Sequence, residues 1–289
     1  LCQVDTTFNE YKDKNHEIIV KLRKALYGCV QSSMLWYKHI RLTLEKMGFA
    51  ANTEDECIFN KTVVNKKQIT VSVYVDDLGM TFDFTARGQV EITMKGYIDD
   101  LIRDYNITRT ATSPANANLF NDIKPELLDE ESAKTLHSIV ARMLYLGTRA
   151  RPEILLTVNY LTTRVNNFTE GDWQKAHRCL EYLSAEPELG LTLRIGDRNE
   201  MRVSLYADAS FAVHADSKSH SAGVVKVGDA TVASKSTKQK LVTRSTTEAE
   251  LVCATDMLNK GLTQRNFLKA QGYKAGPGIS MSDTSSCGK

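Results

Sequence analysis

No apolar run in the chain approaches the roughly 18 residues that a membrane-spanning helix needs. The opening residues Leu1, Cys2, Gln3, Val4 and Asp5 lack a basic segment leading into an apolar one, so no secretory signal is read there. They also lack an initiator Met, and a cut N-terminal edge is expected. No two of the six cysteines form a C-x-x-C pair. Cys2, Cys29, Cys57, Cys179, Cys253 and Cys287 are scattered, which argues against a zinc site or disulfide framework and fits reduced thiols inside a cell, cytoplasmic or nuclear. The histidines are dispersed as well. His214 and His220 stand closest, with no cysteine or third histidine nearby, and are read as surface or loop residues rather than ligands. Charge of one sign is lacking too: the net formal charge is only +2, so any nucleic-acid binding must come from local patches. Internal repeats and low-complexity tracts are absent.

What is present describes an ordinary globular chain. The 289 residues suffice for roughly two domains, and the 42% hydrophobic and 25% charged fractions are typical of such domains. Trp36, Ile40, Leu44 and Met47 recur at helical spacing, predicting a helix over Ser33–Phe49 that stops at Gly48. From Ile69 to Val75 the sequence alternates and is β-branched, predicting a strand with Ile69, Val71, Val73 and Val75 on one face. Two further runs, Met80 to Phe84 and Val90 to Met94, predict a hairpin joined through Gly88. From Tyr97 to Tyr182 the chain reads as mostly helical, with Pro152 in a first turn and Thr169-Glu170-Gly171-Asp172 as a capped start. The polar stretch Asn116–Asp129 reads as a linker. Near residue 201 the pattern changes: a strand through Val203, Leu205 and Ala207 ends at Asp208. A hairpin turns through Gly228-Asp229, and a helix runs from Thr246 toward Leu268.

Two sets of carboxylates could carry chemistry. Asp76 and Asp77 follow Tyr74-Val75 at a strand end, where paired carboxylates could hold hard divalent ions for phosphoryl transfer; taken alone, Asp-Asp reads more readily as a turn former. The second set is Asp208, Glu250 and Asp283, from a strand, a helix and the residue after the apolar stretch Ile279 to Met281. Ser245-Thr246-Thr247-Glu248 fits a capping box in which Glu248 returns to the Ser245 N–H. Glu250, about 200° further round the helix, is then the better ligand candidate. Lys235, Lys238, Lys240 and Arg244 could follow the phosphates of a hybrid duplex, or could simply be edge-strand lysines. Leu26-Tyr27-Gly28 could lie against a nucleotide, or form a plain turn.

In their order these blocks resemble the copia-type family of long-terminal-repeat retrotransposons. Lys24 through Ser33, followed by Trp36-Tyr37, is similar to its K-A-L-Y-G-L-K-Q-A-P-R-x-W-Y block, and Asp55 through Phe59 to D-x-C-x-F. Tyr74-Val75-Asp76-Asp77 resembles the polymerase Y-V-D-D box. Met143 to Leu146 and Thr148 to Ile154 resemble L-x-Y-L and T-R-P-D-I, and Trp173 to Leu183 resembles W-x-A-x-R-x-L-x-Y-L. Ser245 to Leu251 is similar to S-S-T-E-A-E-Y, and Ser282 to Ser285 to the D-N-x-S box. The resemblance spans essentially the whole chain. It implies a reverse transcriptase joined to a ribonuclease H. Asp76 and Asp77 would be polymerase metal carboxylates, and Tyr27, Gly28 and Gln31 would lie near the incoming nucleotide or template. Asp208, Glu250 and Asp283 would be nuclease carboxylates. Mg2+ or Mn2+ is the implied cofactor; an RNA template, a DNA primer and an RNA–DNA hybrid are the implied partners.

Departures from the pattern set further expectations. The family's earlier polymerase aspartate has no equivalent here, and the chain stops at Lys289 before the last nuclease aspartate. Leu78-Gly79-Met80-Thr81 resembles a Y-L-G-I strand that the family keeps several dozen residues beyond Y-V-D-D, so a deletion or mispredicted splice is expected near Asp77–Leu78. Ser33 replaces the pattern's Pro, and Thr284 its Asn. Polymerase activity is therefore not expected, and the alternative is an inert remnant that at most binds nucleic acid. The expected fold class is α+β: an incomplete palm with exposed apolar surface over residues 1–100, a helical connection over 101–200, and a truncated ribonuclease H-like domain over 201–289.

Overall fold

The computed structural model describes residues 11, 14–15, 30–62, 68–74, 77–81, 89–121, 124–194 and 201–283. The fold mixes helix and sheet, as an α+β chain should, and divides into two compact units, Leu1–Asp83 and Phe84–Lys289.

In the first unit, α1 (Val30–Lys46) precedes a four-stranded antiparallel sheet of β1 (Ala50–Ala51), β2 (Ile58–Thr62), β3 (Gln68–Tyr74) and β4 (Asp77–Thr81), ordered as in the sequence. Gly48 ends the helix in the left-handed region at φ +84°, where its N–H reaches Glu45 O and the Phe49 N–H reaches Leu44 O. The helix therefore stops at Lys46, and Met47 falls outside it. Leu44, Phe49, Phe59, Val71 and Val73 form the core, so the predicted alternation of β3 holds for the residues described. Met34, Leu35, Leu42 and Met47 are each more than half exposed.

Strand pairing corrects the predicted hairpin between Met80–Phe84 and Val90–Met94. β4 folds back on β3, with Tyr74 opposite Asp77 and Thr70 opposite Thr81. β5 (Gln89–Ile92) belongs to the second unit and pairs with β6 (Leu191–Arg194), Ile92 opposite Leu191. Alternation had marked the strands, but it carries no information about which strand a given edge meets.

The second unit opens with β5 and then packs α2 (Lys95–Asp104), α3 (Glu130–Gly147), α4 (Leu155–Thr162) and α5 (Glu170–Ala185) around a core that includes Ile98, Leu101, Leu136, Met143, Leu161 and Leu180. Local caps set these boundaries. The Asp129 side chain accepts from the Glu131 and Ser132 N–H groups, and Thr169 and Asp172 form a reciprocal capping box at the start of α5. Pro152 opens a 3-10 turn, Pro152–Ile154. The stretch Asn116–Asp129 is not a linker between bodies. It lies inside this unit, where Leu119 is buried, Phe120 packs on the helical core and the Leu128 N–H bonds to Phe168 O.

Beyond the helices, β7 (Met201–Ser210), β8 (His220–Val227) and β9 (Ala230–Lys238) form an antiparallel run, and β10 (Ala275–Asp283) joins β7 in parallel, giving the order β10-β7-β8-β9. Gly228 sits at φ +59° in the two-residue turn between β8 and β9, as its sequence position predicted. Crossing from β9 to β10, α6 (Thr246–Ala270) covers one face of this sheet and buries Cys253, Met257 and Leu268 against Val203, Leu205 and Val225. It comes so close that a Cβ on Gly223 would lie 2.6 Å from Met257 Sδ.

His214 and His220 are corrected from surface residues to buried ones, 7% and 2% exposed. They hydrogen-bond to each other and pack against Phe120 and Tyr160, where the helical core meets the sheet.

Candidate active site

The contact of α6 with β7 brings the Glu250 side chain to the backbone next to Asp208. Glu250 lies in the second turn of α6, and its Oε1 accepts the Ala209 N–H at 3.1 Å, one residue from Asp208. Three residues on along the same helix face, the Cys253 Sγ donates to Asp208 O at 3.2 Å and approaches Ala222 O at 3.3 Å. Burial raises the Cys253 thiol above its ordinary pKa, so it stays protonated and able to donate. The Asp208 side chain is exposed and that of Glu250 half-buried. On the other side of β7, Asp283 is the register partner of Ala207 in the parallel ladder, which brings its backbone next to the Asp208 segment. The three residues that the sequence grouped therefore meet at one end of the sheet at backbone level; the Asp283 side chain lies outside the described residues.

Gln239 supports the arrangement from a third direction. Its buried amide donates to Ser221 Oγ at 2.8 Å and to Ala249 O at 2.9 Å, tying the first turn of α6 to β8. Neither Gln239 nor Cys253 was singled out from the sequence. Cys253 could have been, because it stands one helical turn beyond Glu250. Glu248 has the structural role that separates it from Glu250, though with one change. Its N–H donates to Ser245 Oγ as expected, but its carboxylate accepts from the Arg244 N–H, one residue before the cap.

The basic run divides in two. Lys235 on β9 pairs with Asp256 at 2.7 Å and Lys238 with Asp216 at 2.9 Å, whereas Lys240 and Arg244 are exposed between β9 and α6. In the first unit, Asp77 opens β4 opposite Tyr74; Asp76 lies outside the described residues, as do Tyr27 and Gly28. Gln31 is in the first turn of α1.

Among the described residues no group of three or more His, Cys, Asp or Glu side chains is arranged to hold a metal ion. Asp208 and Glu250 carry the oxygen donors that a hard divalent cation takes, and the Glu250 carboxylate reaches the backbone next to Asp208. No helix among the described residues is long and apolar enough to cross a membrane.

Residues 6–99 match the family described as reverse transcriptase (RNA-dependent DNA polymerase). The chain is similar to the retrovirus-related Pol polyprotein from transposon RE2 of Arabidopsis thaliana, 28% identical over 278 residues, covering 83% of this chain and 19% of that protein. Similarity to the transposon RE1 polyprotein of the same plant is 29% over 272 residues, 80% of this chain and 18% of the relative. The transposon Ty5-1 protein of Saccharomyces cerevisiae is 24% identical over 284 residues, 84% of this chain and 90% of its own length. The chain thus spans about a fifth of the plant polyproteins it matches. No solved structure matches it.

Proposed function

Because the chain carries a reverse-transcriptase region of the copia-type retrotransposon kind, we propose that its C-terminal sheet and α6 are a ribonuclease H-like domain. In it, Asp208, Glu250 and Asp283 hold Mg2+ or Mn2+ against the RNA strand of an RNA–DNA hybrid. One observation carries the reading: the Glu250 carboxylate is hydrogen-bonded to the backbone N–H beside Asp208, while Asp283 is in register with the residue before it. Divalent ions bound there would polarise the scissile phosphodiester and activate the attacking water. The protein's own part is positional. The Ala209 N–H fixes one Glu250 oxygen, and Cys253 and Gln239 hold the strand and the helix that present the carboxylates. Lys240 and Arg244, exposed beside this end of α6, are the better candidates for hybrid phosphates, since Lys235 and Lys238 already pair with Asp256 and Asp216.

For the first unit the same proposal assigns Asp76 and Asp77 to the polymerase metal site, and Tyr27, Gly28 and Gln31 to the neighbourhood of the nucleotide or template. An RNA template and a DNA primer would be the nucleic acids it binds, without polymerase activity, and the cytoplasm or nucleus its setting. Cutting of a labelled RNA–DNA hybrid in Mg2+ or Mn2+, repeated with Asp208→Asn, tests the nuclease assignment. Metal-dependent cleavage that the substitution abolishes is expected. Absence of cleavage, or cleavage indifferent to Asp208→Asn, sinks the nuclease reading and leaves an inert remnant that at most binds nucleic acid.

A further inference from the structure

A solvent-open cleft of about 70 Å³ lies in the helical part of the second unit, between α5 and the loop of residues 113–119. Its polar lining comes from Lys175, Arg178 and Gln174 on α5 and Thr157 on α4, with Asn116 and Asn118 on the loop, and includes no carboxylate among the described residues. Other arginines of the same helical core have acidic partners: Arg142 pairs with Asp104, Arg151 with Glu153 and Arg164 with Asp172. Arg178 has none among the described residues. Its Nη2 donates to the neutral Ser113 Oγ at 3.0 Å, and its buried Nε has no hydrogen-bond partner. An enclosed guanidinium without an anion is costly unless something supplies one.

The loop that closes the cleft is fixed before any ligand arrives. Ser113 Oγ donates to Ala115 O at 2.8 Å, Thr157 Oγ1 to Pro114 O at 3.3 Å, and the Asn118 N–H to Asn116 Oδ1 at 3.2 Å. That last bond occupies the Asn116 oxygen and leaves its amide nitrogen as the group for donation. Lys175, one helical turn before Arg178, has its ammonium held by Asn121 O at 3.0 Å and Tyr160 OH at 3.1 Å, and Asp172 Oδ1 lies 3.7 Å from it, so Arg178 carries the positive charge of this wall.

One guanidinium without an acidic partner among the described residues, together with three amides, describes a receptor for an anion rich in acceptors. A planar guanidinium matches a phosphate oxygen pair. We propose that this cleft is a phosphate-binding site anchored by Arg178, taking either a small phosphate or one phosphodiester of a bound nucleic acid. The site shares no residue with Asp208, Glu250 or Asp283, so its test is independent of the nuclease assignment.

Thermal unfolding of the full chain is measured against inorganic phosphate at constant ionic strength, for the wild type, Arg178→Gln, Arg178→Lys and the exposed-cation control Lys134→Gln. The melting temperature is expected to rise with phosphate in the wild type and the control. Loss of a hydrogen bond to a charged group should weaken apparent phosphate affinity roughly ten- to hundredfold in Arg178→Gln. Arg178→Lys, which keeps the charge but not the fork, should fall between them, and it decides the matter should Arg178→Gln fail to fold. Binding of a labelled RNA–DNA hybrid across a salt series then separates the sources. A salt slope reduced by about 1 in the Arg178 variants identifies a backbone phosphate, and an unchanged slope with lost phosphate binding identifies a small phosphate. No phosphate-dependent stabilisation of the wild type, or equal stabilisation of the Arg178 variants, overturns the site.

Discussion

Lowering the pH should unfasten the sheet from the helical core of the second unit, through His214 and His220. His214 Nε2 and His220 Nδ1 are 3.0 Å apart, and His220 Nε2 meets Ser236 Oγ at 2.7 Å. One bridging proton satisfies the His–His contact when both rings are neutral; two imidazolium rings would set donor against donor and charge against charge. Burial is the main cause that pushes both groups down to about 4, helped at His214 by Lys238 and Lys218 against the opposing pull of Asp216, and at His220 by His214 itself. Phe120 and Tyr160 close the other side, with the Lys175 ammonium over the Tyr160 ring adding a further positive charge nearby.

The direction follows from proton counting. Between about 6.5 and 4 the unfolded chain binds protons that the folded chain refuses, so stability is fully present above pH 6.5 and is lost as the pH falls toward 4. At 1.36 kcal/mol per pH unit the loss is roughly 3 kcal/mol for one ring, and up to about twice that for the coupled pair. That is a large part of the roughly 5–15 kcal/mol that holds a typical domain folded. Urea unfolding followed by far-ultraviolet circular dichroism, at pH 7.0 and at steps down to 4.5, compares the wild type with His214→Gln/His220→Gln. The wild type should lose stability more steeply by about 1–2.5 kcal/mol per pH unit near the middle of the range. Parallel pH profiles for the two proteins would refute the reasoning, because the surrounding carboxylates titrate equally in both.

Two other changes probe the packing. Gly223→Ala sets a Cβ within 2.6–2.7 Å of the Met257 Cγ, Sδ and Cε in a closed core, and should cost about 1–3 kcal/mol by thermal unfolding; Met257→Val in the same chain should recover part of it. Asp172→Asn leaves Arg164 and Lys175 without the buried carboxylate that lies 3.2 Å and 3.7 Å from them, and weakens the α5 capping box. A loss of about 3 kcal/mol in urea unfolding is expected, and a change under 1 kcal/mol would contradict it.

Local signals were legible in the sequence because they act over a few residues. Gly48, the Thr169–Asp172 box, the Gly228 turn and the Ser245 cap each mark an element boundary with chemistry contained in four or five positions. Long-range pairing was not legible. β5 finds its partner in β6, about a hundred residues away, and β4 returns to β3 although its alternation would have suited β5 equally well. The His214–His220 seam was missed for the same reason: its burial comes from Phe120 and Tyr160, which neither residue's neighbours announce.

The capping role of Glu248 was legible, since the geometry of one turn decides which glutamate the cap occupies. What the sequence could not supply is the setting of α6 along the sheet, on which the carboxylate geometry depends. A shift of one residue along a helix moves a side chain by 1.5 Å and turns it by 100°, enough to carry Glu250 out of reach of the Ala209 N–H. Three contacts oppose that shift: Gly223 receives Met257, Gly261 admits Leu205 so closely that a Cβ there would lie 2.7 Å from it, and Gln239 grips Ala249 O. The two glycines and the glutamine carry no reactive group, yet they determine where the carboxylate stands. Displacing α6 at Gly261, with every carboxylate retained, should therefore impair metal-dependent cleavage beyond what the loss of stability explains, because sub-ångström misplacement of positioning groups is enough to cost rate.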